Sequence, residues 1–270
     1  MHNVISWKSL TAAATLLISV GLAAPASAGF IDMDFTTMGA ASSTVSGLGP
    51  AIIGVPLTGA YSGLALNIEG RRSSIPIIDP FGDPPPYESG MRLTRNTNGI
   101  GLCSRVKANG DCSMDQDTVD GLGPTESIKF VIVPGLEFAV QTITFGDARN
   151  VPGTIFTPPT FDDANMVFKA GGLEIEFNIV DEGGCNPISG AACTVNIYNL
   201  VQNHLTGDQT EDQIYAYLAS TDGFTFEALD LDDNWYIRGA RWVTVPEPAS
   251  MTLLGAGVLG LGYFGKRRQA

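Results

Sequence analysis

Four aspartates lie close together in the segment "DCSMDQDTVDG", at Asp111, Asp115, Asp117 and Asp120. Carboxylate oxygens that cluster in a turn-rich stretch suit Ca²⁺, which takes about six to eight oxygen ligands in flexible geometry. The spacing is not that of an EF-hand, because Val119 stands where the third loop ligand should be and no glutamate follows at the required distance. We therefore expect either a structural calcium site at Asp115, Asp117 and Asp120 or a solvated acidic loop. Weaker candidates for the same chemistry are Asp32 with Asp34, Asp162 with Asp163, and Asp230 with Asp232 and Asp233.

The four cysteines form two close pairs along the chain, Cys103 with Cys112 and Cys185 with Cys193. Each pair encloses turn-forming residues, an Asn-Gly step in the first and a proline and a glycine in the second, so each segment can turn back on itself. Three pairings are possible, and we expect the local one, with both disulfides acting as loop staples. A zinc site is the rival interpretation, but neither pair has C-x-x-C spacing and histidine is nearly absent.

Histidine is too scarce for the common catalytic constellations. Beyond the N-terminal segment the sequence holds one histidine, His204, which we place at the end of a strand that runs into a turn. A Ser-His-Asp triad would have to use it, and no G-x-S-x-G, Walker A or H-E-x-x-H motif occurs. We expect a protein that is not an enzyme. The alternative is a secreted polysaccharide hydrolase that uses a pair of carboxylates, which the abundance of acidic residues leaves open.

The chain is acidic, with a formal net charge of −13 at pH 7. This charge disfavours nucleic acid and anionic lipid headgroups as partners, and it leaves metal cations, basic surfaces and neutral glycans. The simplest alternative is that the acidity keeps an exported protein soluble. Four aromatic residues could stack on sugar rings, although aromatics in strands more often belong to the core: Tyr87, Trp235, Tyr236 and Trp242.

The elements that must position these residues are predicted to be β-strands, since apolar residues recur at every second position along most of the chain. The clearest strands begin at Ser127, Leu173, Phe224 and Trp235. Further strands are expected at 30–35, 51–57, 64–69, 91–95, 138–145, 166–169, 194–200 and 214–218. The turn signals between strands include Asn98-Gly99, Asp120-Gly121, Gly183-Gly184 and Asp222-Gly223.

Many short strands joined by glycine-rich turns predict an all-β fold, an antiparallel β-sandwich of the jelly-roll type, in one domain over residues 29–245. No helix of ten residues is expected in this domain. Residues 75–90 hold five prolines and are predicted to form a long surface loop, because proline cannot donate to a strand ladder.

The N-terminal segment predicts export. It has one lysine at Lys8, an uncharged apolar stretch over residues 10–24, and the sequence Ala26-Ser27-Ala28, the small-x-small pattern that signal peptidase accepts. We interpret residues 1–28 as a signal peptide that is cleaved before Gly29. The alternative is an N-terminal membrane anchor.

The C-terminal segment combines Pro246-Glu247-Pro248, an apolar run over 249–265 and a basic end at Lys266, Arg267 and Arg268. The run would form a helix of about 25 Å against a hydrocarbon core of about 30 Å, and its glycines make it a poor permanent anchor. The prolines hold an extended backbone that a protease can bind, and the basic end stays on the cytoplasmic side. We interpret the segment as a temporary membrane handle. The alternative is a plain C-terminal anchor.

This arrangement resembles the PEP-CTERM sorting signal of exported proteins in Gram-negative bacteria. The resemblance depends on "VPEPAS", the glycine-rich apolar helix and "KRR" near the end, and the mature region shares a layout found among such proteins in "RNTNGIGLC", "DQDTVDGLGPTES", "ITFGDA" and "WYIRGARWVTVPEP". It implies transient residence in the inner membrane and removal of the tail by an exosortase, a membrane protease. It also implies delivery to the cell surface or to an exopolysaccharide matrix, whose glycan would be a partner. It brings no catalytic residues.

Overall fold

The structure, a computed structural model, describes residues 29–46, 49–72, 90–103, 106, 119–120, 125–133, 138–150, 165–184, 192–205, 207, 209–220, 222–229 and 233–244. The residues Phe30–Thr244 form one unit, and the elements described below all belong to it. The predicted signal peptide, the predicted loop at 75–90 apart from Gly90, and the tail from Pro246 onward lie outside the described residues.

The described strands form two antiparallel sheets. The larger sheet contains β1 (Phe30–Asp34), β2 (Ala41–Ser46), β5 (Gly90–Asn96), β6 (Gly99–Cys103), β7 (Val119–Asp120), β9 (Phe138–Asn150), β12 (Cys193–Asn196), β13 (Ala219–Ser220) and β15 (Asp233–Thr244). The smaller sheet contains β3 (Ala51–Pro56), β4 (Ala65–Arg72), β8 (Glu126–Val133), β10 (Asn165–Ala170), β11 (Leu173–Asn178) and β14 (Phe224–Ala228).

Pairing in both sheets joins strands that are far apart in sequence. The larger sheet has the order β12-β9-β15-β6-β5-β2, and β15 also pairs with β1 and β7 while β9 also pairs with β13. The smaller sheet has the order β11-β10-β14-β8-β4-β3. The chain crosses repeatedly from one sheet to the other. Its last strand, β15, lies in the middle of the larger sheet.

The strands form because their apolar residues alternate with polar ones, and the alternation decides which face is buried. In β1, Ile31 and Met33 are buried while Asp32 and Asp34 are exposed. Strand β3 also alternates in burial over its whole length, although its exposed residues Ile52, Gly54 and Pro56 are not polar. Each sheet therefore has an apolar inner face.

The two inner faces meet in an aromatic core. Phe130 of the smaller sheet lies 6.0 Å from Trp242 of the larger sheet, and Phe226 lies 6.1 Å from Phe145, as distances between ring centroids. Phe130 also stacks on Phe35 at 5.8 Å. Contacts of this kind between opposite sheets confirm the predicted all-β antiparallel sandwich.

Three short helices follow residue 178: α1 (Ile179–Gly183), α2 (Ile197–His204) and α3 (Glu211–Leu218). The helices α2 and α3 correct strands predicted at 194–200 and 214–218. A 3₁₀ turn also lies at Gly59–Tyr61. The strand predicted at 194–200 ends at Asn196, whose side chain accepts a hydrogen bond from the Asn199 backbone at 3.0 Å and caps α2. His204 accordingly lies in the last turn of a helix, and its predicted place at a strand end is wrong.

The strand predicted at 214–218 is also wrong, because these residues lie in α3. Thr210 and Gln213 form a capping box at its start, and the buried side chains of Ile214 and Leu218 are spaced four residues apart on one helix face. Among the described strands, the periodicity did not predict β2, β6 and the two-residue strands β7 and β13. In β6 all five residues are buried, so no alternation marks it.

Candidate functional site

An open groove of about 690 Å³ lies on the outer face of the larger sheet, across β1, β15, β9 and β12. Register places Asp34, Gly239, Thr144 and Thr194 in one row across these strands. We call this set of outward residues, together with those of the neighbouring row, the outer groove. Its volume is in the range of about 300 to 1,000 Å³ that small-ligand sites occupy.

The neighbouring row contains an ion pair between the first and last strands. Arg241 Nε donates to Asp32 Oδ1 at 2.5 Å and Arg241 Nη2 donates to Asp32 Oδ2 at 3.0 Å. This hydrogen bond and the Asp32 charge raise the pKa of Arg241. Both side chains are about half exposed, so the pair fixes the position of the guanidinium more than it stabilises the fold.

Hydrogen bonds from the turn that follows β1 position the Asp34 carboxylate. Its Oδ1 accepts hydrogen bonds from the Thr36 hydroxyl at 2.6 Å and from the Thr36 backbone at 2.9 Å. These bonds, the side-chain bond first, lower the pKa of Asp34 below its ordinary value of 3.8, with a further contribution from the Arg238 charge. Asp34 is therefore a carboxylate at neutral pH.

Two threonine hydroxyls form the opposite side of the outer groove. The Oγ1 atoms of Thr144 on β9 and Thr194 on β12 lie 3.0 Å apart, and one donates to the other. Cross-strand threonine pairs of this kind are rigid, because β-branched side chains have few rotamers in a strand. The pair keeps one hydroxyl hydrogen and several lone pairs for a ligand.

The centre of the groove is open because Gly239 carries no side chain. A Cβ atom there would lie 2.9 Å from the Met33 carbonyl oxygen. At the nearby Gly146, a Cβ atom would collide with the Arg238 side chain, which therefore lies across this glycine. Gly146 therefore lets the Arg238 side chain lie flat against the sheet, and Gly239 lets the Met33 backbone approach closely.

An exposed aromatic ring stands on the same face. Phe30 is 54 % exposed and follows the outward alternation of Asp32 and Asp34 along β1. The Arg241 guanidinium carbon lies 5.6 Å from its ring centroid, so one cation contacts both Phe30 and Asp32.

These groups can bind a polar ligand but are poorly suited to acid catalysis. A glycoside hydrolase needs one protonated carboxyl group beside a carboxylate. Asp34 has a lowered pKa, and both carboxylate oxygens of Asp32 accept hydrogen bonds from Arg241. The outer groove therefore presents charges and hydroxyls that can bind a polar ligand.

The calcium prediction falls largely outside the described residues, because Asp115 and Asp117 are not among them. Asp120 lies in β7, where its backbone pairs with Asn234. Within the part of the chain that the structure describes, no group of three or more acidic, histidine or cysteine side chains could hold a metal ion. The site at Asp115 and Asp117 stays a prediction, as do the weaker candidates at Asp162, Asp163, Asp230 and Asp232.

The other candidates are distributed as follows. Cys103 and Cys193 are buried, and the disulfides Cys103–Cys112 and Cys185–Cys193 stay predictions because Cys112 and Cys185 lie outside the described residues. Trp235, Tyr236 and Trp242 are buried in the core, which confirms the favoured expectation for aromatics in strands over sugar stacking, and Tyr87 is not described. Also outside the described residues are Ala26, Ala28, Pro246, Glu247, Pro248, Lys266, Arg267 and Arg268.

Sequence reasoning missed most of the outer groove. It named Asp32 and Asp34 as weak calcium candidates, whereas Arg241 binds both oxygens of Asp32 and Thr36 holds Asp34. Thr144 and Thr194 were not singled out. The signal that could have found them is their outward position in strands of alternating burial.

The family model of the PEP-CTERM protein-sorting motif matches residues 244–268, directly where β15 ends. The chain carries a PEP-CTERM sorting motif. The resemblance seen in Pro246-Glu247-Pro248, the apolar run and the basic end is thereby confirmed, and the motif indicates an exported protein that an exosortase sorts. No curated protein and no solved structure matches the chain. Among the described residues, which stop before the apolar run, no helix is long and apolar enough to cross a membrane.

Proposed function

We propose that this PEP-CTERM protein is a non-enzymatic component of the cell surface or exopolysaccharide matrix of a Gram-negative bacterium, and that its β-sandwich binds glycan. Signal peptidase removes residues 1–28, and the exosortase cuts at or near Pro246-Glu247-Pro248 while the apolar helix is in the inner membrane. The observation that carries the proposal is the sorting motif at 244–268.

The geometry of the sandwich supports this order of events. Strand β15 continues to Thr244, so the motif follows a folded strand almost without a linker. Phe30 lies opposite Val243 in the β1–β15 pair, so the first and last strands end side by side. Within the described part of the chain, the pairs that β1 and β15 form with each other and with β9 join residues 30–244, so removal of both terminal segments would leave these pairs in place.

The binding role is supported by the character of the outer groove. It lies on the outer face of the larger sheet, charged side chains and threonine hydroxyls line it, and its Asp34 is ionised at neutral pH. The hydrolase alternative would need a carboxyl group with a raised pKa beside a carboxylate, whereas the outer groove offers Asp34, whose pKa is lowered, and Asp32, whose two oxygens accept hydrogen bonds from Arg241. A glycan screen that scores retention and released reducing ends together distinguishes the two functions.

The sorting role is tested by replacing Pro246, Glu247 and Pro248 together with alanine in the natural host. We expect the variant to accumulate uncut in the inner membrane, because the motif that the protease reads is gone. The matched control replaces Met251, Thr252 and Leu253 with alanine, which keeps an apolar helix behind an intact motif, and it should be processed normally. Equal processing and release of both variants would contradict the proposal and favour a plain anchor.

A further inference from the structure

We propose that the outer groove and the adjacent Phe30 bind a short, neutral, hydroxyl-rich stretch of polysaccharide, with Thr144, Thr194, Asp34 and Arg241 as the polar contacts and Phe30 as the stacking surface for a neighbouring sugar unit. This inference rests on the proposed glycan-binding function and assigns it to one place on the sandwich.

The charges of the groove favour a neutral ligand. Asp32 and Asp34 are balanced by Arg241 and Arg238, so the site has no net charge although the whole chain has −13. An anionic sugar would meet two carboxylates and a chain that repels it, while a cationic sugar would compete with guanidinium groups already in place. A neutral ligand meets neither this repulsion nor this competition.

The hydrogen-bonding groups favour hydroxyls. Carboxylate oxygens accept, guanidinium N–H groups donate, and the threonine hydroxyls do both. A sugar ring carries several hydroxyls that also donate and accept, so different hydroxyls of one ring can contact the Thr144–Thr194 pair on one side of the groove and Asp34 or Arg241 on the other. The row Asp34, Gly239, Thr144, Thr194 crosses four adjacent strands, and the bare Gly239 leaves room at its centre for a ring.

The exposed Phe30 supplies the apolar contact that sugar rings require. A pyranose presents C–H groups on its flat faces, and these pack against aromatic rings. Phe30 remains 54 % exposed although Arg241 lies over its ring, and it shares the face and the strand of Asp32 and Asp34. An aromatic exposed to this degree beside a polar groove differs from the buried rings of the sandwich, where Trp242 is 1 % exposed.

The test is affinity electrophoresis of the full chain in mild detergent, in gels that contain dextran, galactomannan, polygalacturonate or chitosan. We expect retardation by at least one neutral polysaccharide. The double variant Thr144→Val, Thr194→Val keeps shape and strand propensity but removes both hydroxyls, and it should weaken that binding about tenfold, the product of two modest hydrogen-bond losses. Phe30→Ala should weaken it by a similar factor.

Matched controls come from the outer face of the smaller sheet. Thr225→Val makes the same change on β14, and Ile52→Ala removes an apolar side chain that is 45 % exposed on β3. Both should bind like the unchanged protein, and melting curves should show that every variant is folded. If neutral polysaccharide binds the groove variants and the controls equally, the assignment to the groove is wrong while glycan binding stands. If polygalacturonate or chitosan binds more tightly through the groove, the neutral class is wrong, and if no glycan binds, both proposals fail.

Discussion

Replacing Phe130 with alanine should be one of the most destabilising changes in the sandwich. Phe130 is 1 % exposed, and its ring lies within 5.8 to 6.1 Å of Phe35, Trp242 and Phe226, so it connects both sheets. A buried Phe→Ala change costs about 3 to 5 kcal/mol, and aromatic pairs contribute about 0.5 to 1.5 kcal/mol each beyond the buried area. We therefore expect a loss of about 4 to 5 kcal/mol in the free energy of unfolding, a large part of the roughly 5 to 15 kcal/mol that a domain has.

Urea unfolding monitored by tryptophan fluorescence measures this loss, because Trp242 contacts the deleted ring. The midpoint should fall while the slope of the transition stays unchanged. The matched control is Phe30→Ala, which removes a ring that is 54 % exposed and should cost less than about 1 kcal/mol. A Phe130→Ala loss no larger than that of the control would refute the inference that the two sheets pack through this ring.

Three further predictions concern backbone, charge and disulfides. In urea unfolding, Gly223→Ala should lower the free energy of unfolding clearly more than Gly172→Ala. Both glycines have positive φ, at 89° and 85°, but only at Gly223 would the new Cβ collide, with the Phe130 carbonyl oxygen. Equal losses for the two variants would contradict this reasoning. Because the pKa of Asp34 is lowered in the folded state, its contribution to stability is present above the ordinary value of 3.8 and is lost as the pH falls. The melting temperature of Asp34→Asn should therefore fall less on acidification than that of the unchanged protein. Identical pH profiles of the two proteins would contradict the assignment. Non-reducing peptide mapping should find Cys103 joined to Cys112 and Cys185 joined to Cys193, and a peptide that joins Cys103 to Cys193 would overturn this pairing.

Local patterns were sufficient to predict most strands, because burial of alternate residues leaves a period of two in the sequence. These patterns failed where contacts with distant parts of the chain decided the local structure. Five residues at 214–218 carry too little periodicity to separate helix from strand, although the capping box formed by Thr210 and Gln213 was readable in the sequence. The wholly buried β6 showed no alternation at all.

The outer groove could not be predicted from local sequence. The Asp32–Arg241 ion pair joins residues 209 positions apart, and it exists because the first strand pairs with the last. Periodicity identifies Asp32, Thr144 and Arg241 as outward residues but not as neighbours. The sorting motif is the opposite case, since a protease reads a contiguous segment and its residues are therefore adjacent in the sequence.

The central claim, that the tail is a sorting signal which is removed, is tested most directly by the mass of the natural surface-exposed protein. Intact-mass measurement, supported by sequencing of the C-terminal peptide, locates the end of the chain. The account predicts an end at or near Pro246-Glu247-Pro248, with the apolar segment 249–265 and the basic end absent. A surface protein that still carries Lys266 to Ala270 would contradict it, and the short helix would then be a permanent anchor.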